Sequence, residues 1–120
     1  MNTEWNRVSQ RLRELKRFPW LIPTVDAMLW LVASLREDRR LGAVVPNVSL
    51  ASLTLRLSDS DRYVVVARSD AEPKRFEIFF ADPPLEFSET TIVSEDSVVT
   101  AIVEYIERLK KRREESVRRA

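Results

Sequence analysis

Cysteine and histidine are both missing from this 120-residue chain, and glycine occurs once. Without cysteine there is no disulfide, no thiolate metal site and no thiol nucleophile. Without histidine the commonest general base and the commonest transition-metal ligand are gone, and the Ser-His-Asp and Cys-His arrangements go with them. A single glycine, Gly42, leaves no material for a phosphate-cradling loop or a dinucleotide fingerprint. The residues therefore read as a chain that is not an enzyme and needs no cofactor and no metal.

Long apolar runs are also scarce. The most apolar stretch, Phe18 to Leu35, is interrupted by Pro19, Pro23, Thr24 and Asp26, and is flanked by Lys16, Arg17 and Arg36. A membrane-spanning helix needs about 20 predominantly apolar residues, so no membrane span is expected. The opening Met-Asn-Thr-Glu-Trp shows no cationic segment followed by an apolar one, so no signal peptide is read. Together with the lack of cysteine this suggests a cytoplasmic protein.

Apolar residues make up 44% of the chain and charged residues 32%, a globular composition. A chain of this size buries roughly two-thirds of its unfolded surface in one core, which predicts a single α+β domain over residues 1–120. Charge is unevenly spread although the net is only +1: the balance is +3 over residues 1–40, −7 over 41–107 and +5 over 108–120. An acidic sheet flanked by basic helices is one reading. Self-complementarity between copies, or a basic tail meeting an anionic partner, is the other.

Helical periodicity comes first along the chain. Trp5, Val8, Leu12 and Leu15 recur at steps of three and four, predicting a helix over Thr3 to Arg17 that Pro19 stops. A second helix, from Pro23 or Thr24 to Asp38, places Val25, Met28, Leu29, Val32 and Leu35 on one face, widened by Leu31. Trp30 points away from that face. It packs beneath helix 1 or the Arg39 to Pro46 connection, or else stands exposed as a contact point. Gly42 is expected to end this segment as a left-handed cap.

The period then changes to two. Ala51, Leu53, Leu55 and Leu57 alternate with polar residues as in a half-buried strand. Tyr63 to Arg68 is apolar on both faces and belongs inside the sheet, Arg75 to Ala81 is a third strand, and Leu85 to Ile92 or Val93 a fourth. Ser94 caps the last helix, with Glu95 and Asp96 in its first turn and Val93 and Val98 as a hydrophobic staple. Val98, Val99, Ile102, Tyr105, Ile106 and Leu109 form its core face, Glu104–Arg108 and Glu107–Lys111 pair outside it, and residues 110–120 form a charged helical extension or a frayed tail. Short links favour an antiparallel meander of four strands, in the order α-α-β-β-β-β-α.

Candidate chemistry is thin. Asp59, Asp61, Glu72 and Lys74 resemble the acid and acid-x-lysine spacing of magnesium-dependent nucleases, but Pro73 breaks the strand that would hold such a lysine, and polar turns are the simpler reading. Asp59-Ser60-Asp61 opens like a calcium loop, yet Val64 stands where the turn glycine belongs. Glu86, Glu89, Glu95 and Asp96 gather near the end of the sheet, two of them as ordinary helix caps.

What remains is surface. If Leu53, Val65 and Ile78 face the helices, Val64, Val66 and Phe79 form an apolar strip on the other face, which the N-terminal helices cover or which serves as an interface. With Trp30 this is the candidate interface. Arg7 and Arg11 on the first helix and Lys110, Lys111, Arg112 and Arg113 near the C-terminus are candidate anion contacts, provided they converge. The expectation is a non-catalytic protein-interaction module, a small adaptor, inhibitor or immunity-type regulator, acting as a homodimer with another protein as its partner. The alternatives are a nucleic-acid-binding accessory protein using the basic residues and a small-ligand-binding domain.

Overall fold

The computed structural model describes residues 3–58, 60–69, 75–82 and 85–119, without the side chains of 3, 82, 85–88 and 112–119. Helix α1 (Thr3–Glu14) buries Trp5, Val8 and Leu12, the three- and four-step stripe of the sequence. Its end tightens into a 3-10 turn, Leu15–Arg17, where the Phe18 N–H donates to the Leu15 carbonyl at 3.0 Å. Phe18 itself is extended, with φ −100 and ψ 106. The ring of Pro19 disfavours helical geometry in the residue before it, and the extended Phe18 separates α1 from a second 3-10 turn, Pro19–Leu21, that leads into α2 (Ile22–Arg36). Val25, Met28, Leu31, Val32 and Leu35 are the buried face of α2.

A third 3-10 turn, Arg39–Leu41, follows. Asp38 caps it by accepting from the Arg40 N–H at 3.0 Å and from the Arg40 guanidinium at 3.0 and 2.7 Å. Those charged hydrogen bonds hold the Asp38 carboxyl below the usual range and raise the guanidinium of Arg40. Gly42 sits at φ −60, so the left-handed cap expected there is not formed. The backbone that does enter the left-handed region is Leu50, at φ 53 in a two-residue hairpin turn.

The sheet has five strands rather than four, in the order β1-β2-β3-β4-β5: Val44–Ser49, Ser52–Leu57, Tyr63–Arg68, Arg75–Asp82 and Leu85–Ser94. Every neighbouring pair is antiparallel. The strand that sequence reasoning missed is β1. Pro46 at its centre argues against a strand interior, but β1 lies at the sheet edge, where a missing N–H leaves no ladder bond unmade.

Helix α3 (Glu95–Arg119) follows β5 directly, with Ser94 and the two acids at its start as expected. Val98, Ile102, Val103, Tyr105, Ile106 and Leu109 are its buried face. All three helices pack on one face of the sheet and share one hydrophobic core with Val44, Val48, Leu53, Leu55, Leu57, Val64, Val66, Phe76, Ile78 and Phe80. The result is a two-layer α+β domain. Among the described residues no second layer covers the sheet: α1 packs against β1, α2 against β3, and α3 over β4 and β5, all from the core side.

Candidate interaction surfaces

The cross-strand register settles which side chains share a face. Leu53 lies opposite Val66, Val66 opposite Ile78, Leu55 opposite Val64, and Val64 opposite Phe80. Residues directly opposite one another point to the same side. Val64 and Val66 are therefore core residues at 0% exposure, and the expectation that they form an outer strip is corrected. The phase of β3 is reversed: Val65 pairs with Phe79, and these two, half-buried, sit at the middle of the open face. A row runs straight across it through Asn47, Thr54, Val65, Phe79 and Thr90, with Tyr63 and Arg56 on one side and Ala67, Glu77 and exposed Ile92 on the other. The guanidinium of Arg56 lies 5.5 Å over the Tyr63 ring.

Trp30 is covered by neither helix 1 nor the Arg39 to Pro46 connection. It stacks on Phe76 of β4 with centroids 6.3 Å apart, and the Arg68 guanidinium lies 5.0 Å from the same Phe76 ring. Even so, Trp30 stays 45% exposed, Ile22 38% and Trp20 73%. Ile22, Asp26 and Trp30 follow one another at single-turn spacing on the side of α2 that faces away from the core. Among the fifteen residues of α2 only Asp26 and Arg36 are charged. A helix this apolar is normally covered all round, but α2, packed against α1, α3 and β3, leaves the side of Ile22, Asp26 and Trp30 open. Beside it Phe18 and Trp20 are in contact at 5.2 Å, Arg17 lies 4.8 Å over the Phe18 ring, and Lys16 bridges to Asp26 at 2.8 Å. The sequence signalled this surface through Trp30 alone; Trp20 and Ile22 were missed because the break at Pro19 hides their relation to the helix.

The cations form two groupings. Arg7 and Arg11 line a hollow of about 330 Å³ between α1 and the start of the sheet, together with Arg56, Glu4, Val45 and Asn47. Lys110 instead reaches the Arg40 carbonyl at 3.0 Å and Glu107 at 3.4 Å. Lys111 is exposed on the same helix, and the side chains of Arg112 and Arg113 lie outside the described residues. The expected Glu104–Arg108 pair is replaced by a longer-range one: Arg108 grips both oxygens of Glu89 on β5, at 2.8 and 2.9 Å, which raises its pKa. Tyr105 joins them, its hydroxyl 2.7 Å from Thr91 Oγ1 and donating to Glu89 at 3.2 Å.

Two of the acids noted near the sheet end are likewise bound to arginines, and the side chain of Glu86 lies outside the described residues. Glu95 meets Arg68 at 3.3 Å and Glu89 meets Arg108. Of the nuclease-like spacing, Asp61 is exposed, while Asp59, Glu72 and Lys74 lie outside the described residues. Among the described residues no helix is long and apolar enough to cross a membrane. The fold places the chain in the two-layer α+β class, and no family model, curated protein or solved structure matches it.

Proposed function

We propose that this chain is a non-catalytic protein-interaction module and that the outward side of α2 is its contact surface. The observation that carries this is the mismatch between the composition of α2 and its coverage: Trp20, Ile22 and Trp30 stand in solvent on a segment with only two charged helical residues. Tryptophan is the residue most enriched where a few side chains supply most of the binding energy, and the fold gives two of the three in this chain no full cover.

A photo-crosslinking residue in place of Ile22 tests the reading in cells of the native host. One discrete protein adduct is expected, lost when Trp30→Ser is added and absent when the crosslinker stands at exposed Thr100 on α3. A smear, or no adduct from Ile22, refutes it.

The hollow rimmed by Arg7, Arg11 and Arg56 supports a second reading, nucleic-acid binding, because three guanidiniums from two elements line one site. Binding to mixed DNA and RNA should then fall with rising salt, and Arg11→Glu should weaken it on every sequence. An absent or salt-insensitive signal eliminates this reading.

A further inference from the structure

The two edges of the sheet are not equivalent. At β1 the Val48 N–H turns away from β2 and donates to Asn47 Oδ1 at 2.9 Å, and Pro46, two residues earlier and so on the same outward phase, has no N–H at all. Helix α1 also packs along this strand. A second strand arriving at β1 would find its central donor missing and the next one occupied, the devices by which edge strands resist pairing.

Between Glu89 and Ser94 the β5 edge has no proline, and its register shift against β4 falls before that stretch, opposite Phe80 to Asp82. The Ser69 N–H donates to the Arg75 carbonyl at 2.9 Å, extending the β3–β4 ladder through its odd-numbered residues. Antiparallel strands bond alternately to their two neighbours. Phe76, Ile78 and Phe80 therefore bond to Val93, Thr91 and Glu89, and the backbone N–H and C=O groups of Thr90 and Ile92 point out of the sheet. This is the longest strand, ten residues with neither proline nor a basic side chain, and Thr90 and Ile92 are both exposed.

Above that edge, on the core side, lies a hollow of about 280 Å³ floored by Thr91, Val93 and Ala101 and flanked by Glu104 and Arg108. Tyr105, which touches both Thr91 and Glu89, sets the level of Thr90 against α3. A two-fold axis at that level, midway between Glu104 and Arg108 on the helix, brings each Glu104 to the partner's Arg108. Strands pair about 4.8 Å apart, so helices lying over β4 and β5 on either side of the axis come within reach of long side chains. A surface that offers backbone donors and acceptors about its own axis is complementary to itself, the requirement for a symmetric dimer, and the Arg108 donors that Glu89 does not use are left for the partner's Glu104.

We infer that β5 is the dimerisation edge of this protein, and that two copies join their sheets through Thr90 and Ile92, with Glu104 of each facing Arg108 of the other. The inference rests on the reading of the chain as an interaction module but uses a surface separate from the tryptophans of α2, so either can fail alone.

Sedimentation equilibrium over about 1 to 100 µM should give twice the 14.0 kDa chain mass at the upper end. Ile92→Pro removes an outward amide and no bond within the sheet, so a folded monomer is expected, with dimer dissociation raised at least about a hundredfold. Thr90→Lys gives the same outcome by a route that leaves the backbone unchanged, and decides the matter if the proline variant does not fold. Glu104→Arg should weaken the dimer about tenfold. The Trp20→Ser, Trp30→Ser double variant should keep the dimer mass, and Ile92→Pro should keep the crosslinked adduct at Ile22. Amide exchange at Thr90 and Ile92 should slow as concentration rises. A wild-type monomer throughout, a folded Ile92→Pro or Thr90→Lys dimer, concentration-independent exchange at these amides, or a dimer lost with the tryptophans would each overturn the inference.

Discussion

Leu50 is where the backbone opposes its own side chain most directly. At φ 53 it holds a conformation that costs an ordinary L-residue about 1–2 kcal/mol, and at 81% exposure it recovers little by burial. Leu50→Gly removes the strain, while glycine gives back roughly 0.5–1 kcal/mol through the greater freedom of the unfolded chain. The net expectation is a gain of about 0.5–1 kcal/mol, equivalent to a Tm rise of about 2–6 °C for a domain of this size. Urea titration followed by far-UV circular dichroism should show a higher midpoint at unchanged slope. Ala51→Gly, its neighbour in the turn but without positive φ, should be neutral or destabilising. A lower or unchanged midpoint for Leu50→Gly refutes the strain argument, and would mean that Leu50 draws stability from its place beside Leu15 and Val48.

The reversed phase of β3 gives a paired test. Val66→Asp places a carboxylate among fully buried side chains and should unfold the domain at a cost of several kcal/mol, whereas Val65→Asp on the open face should leave the circular dichroism spectrum intact; equal effects would contradict the register. Asp38→Ala removes the cap of the Arg39–Leu41 turn and should cost about 0.5–1 kcal/mol near neutral pH. Because the carboxyl is held below its usual range, its charged contribution is fully present above the unfolded value near 3.9 and fades as pH falls through the lower folded value. Urea midpoints of the two proteins should therefore converge only well below about pH 4, and convergence above that would refute the assignment of Arg40 as the cause.

Local signals in the sequence were sufficient where the structure is local. Ser94, its following acids and the Val93–Val98 staple mark the start of α3, and three- and four-step spacing picks out Trp5, Val8 and Leu12, and then Val25 to Leu35, as core. The open face was harder, because Tyr63 to Ala67 is apolar at every position and a strand without alternation carries no phase. Only its pairing with Leu53 and Leu55 on one side and Ile78 and Phe80 on the other decides that Val64 and Val66 turn inward. Pro46 concealed β1, since the rule against proline in strands applies to interiors and edge position is a tertiary fact. Arg108 shows the same limit: the acid four residues before it is the obvious partner along the helix, yet Glu89, nineteen positions earlier, is the one it grips.

The unequal edges also bear on how far an assembly of this chain can grow. A sheet open at both sides is a bivalent monomer, and copies added edge to edge extend without end into a fibre. If β5 pairs with its copy as proposed, Pro46 and the Asn47 to Val48 hydrogen bond leave this sheet monovalent. Once its β5 side is occupied, each copy acts as the other's chain terminator, and growth stops at a countable particle. How far assembly runs then depends on a proline and an asparagine at the edge opposite β5.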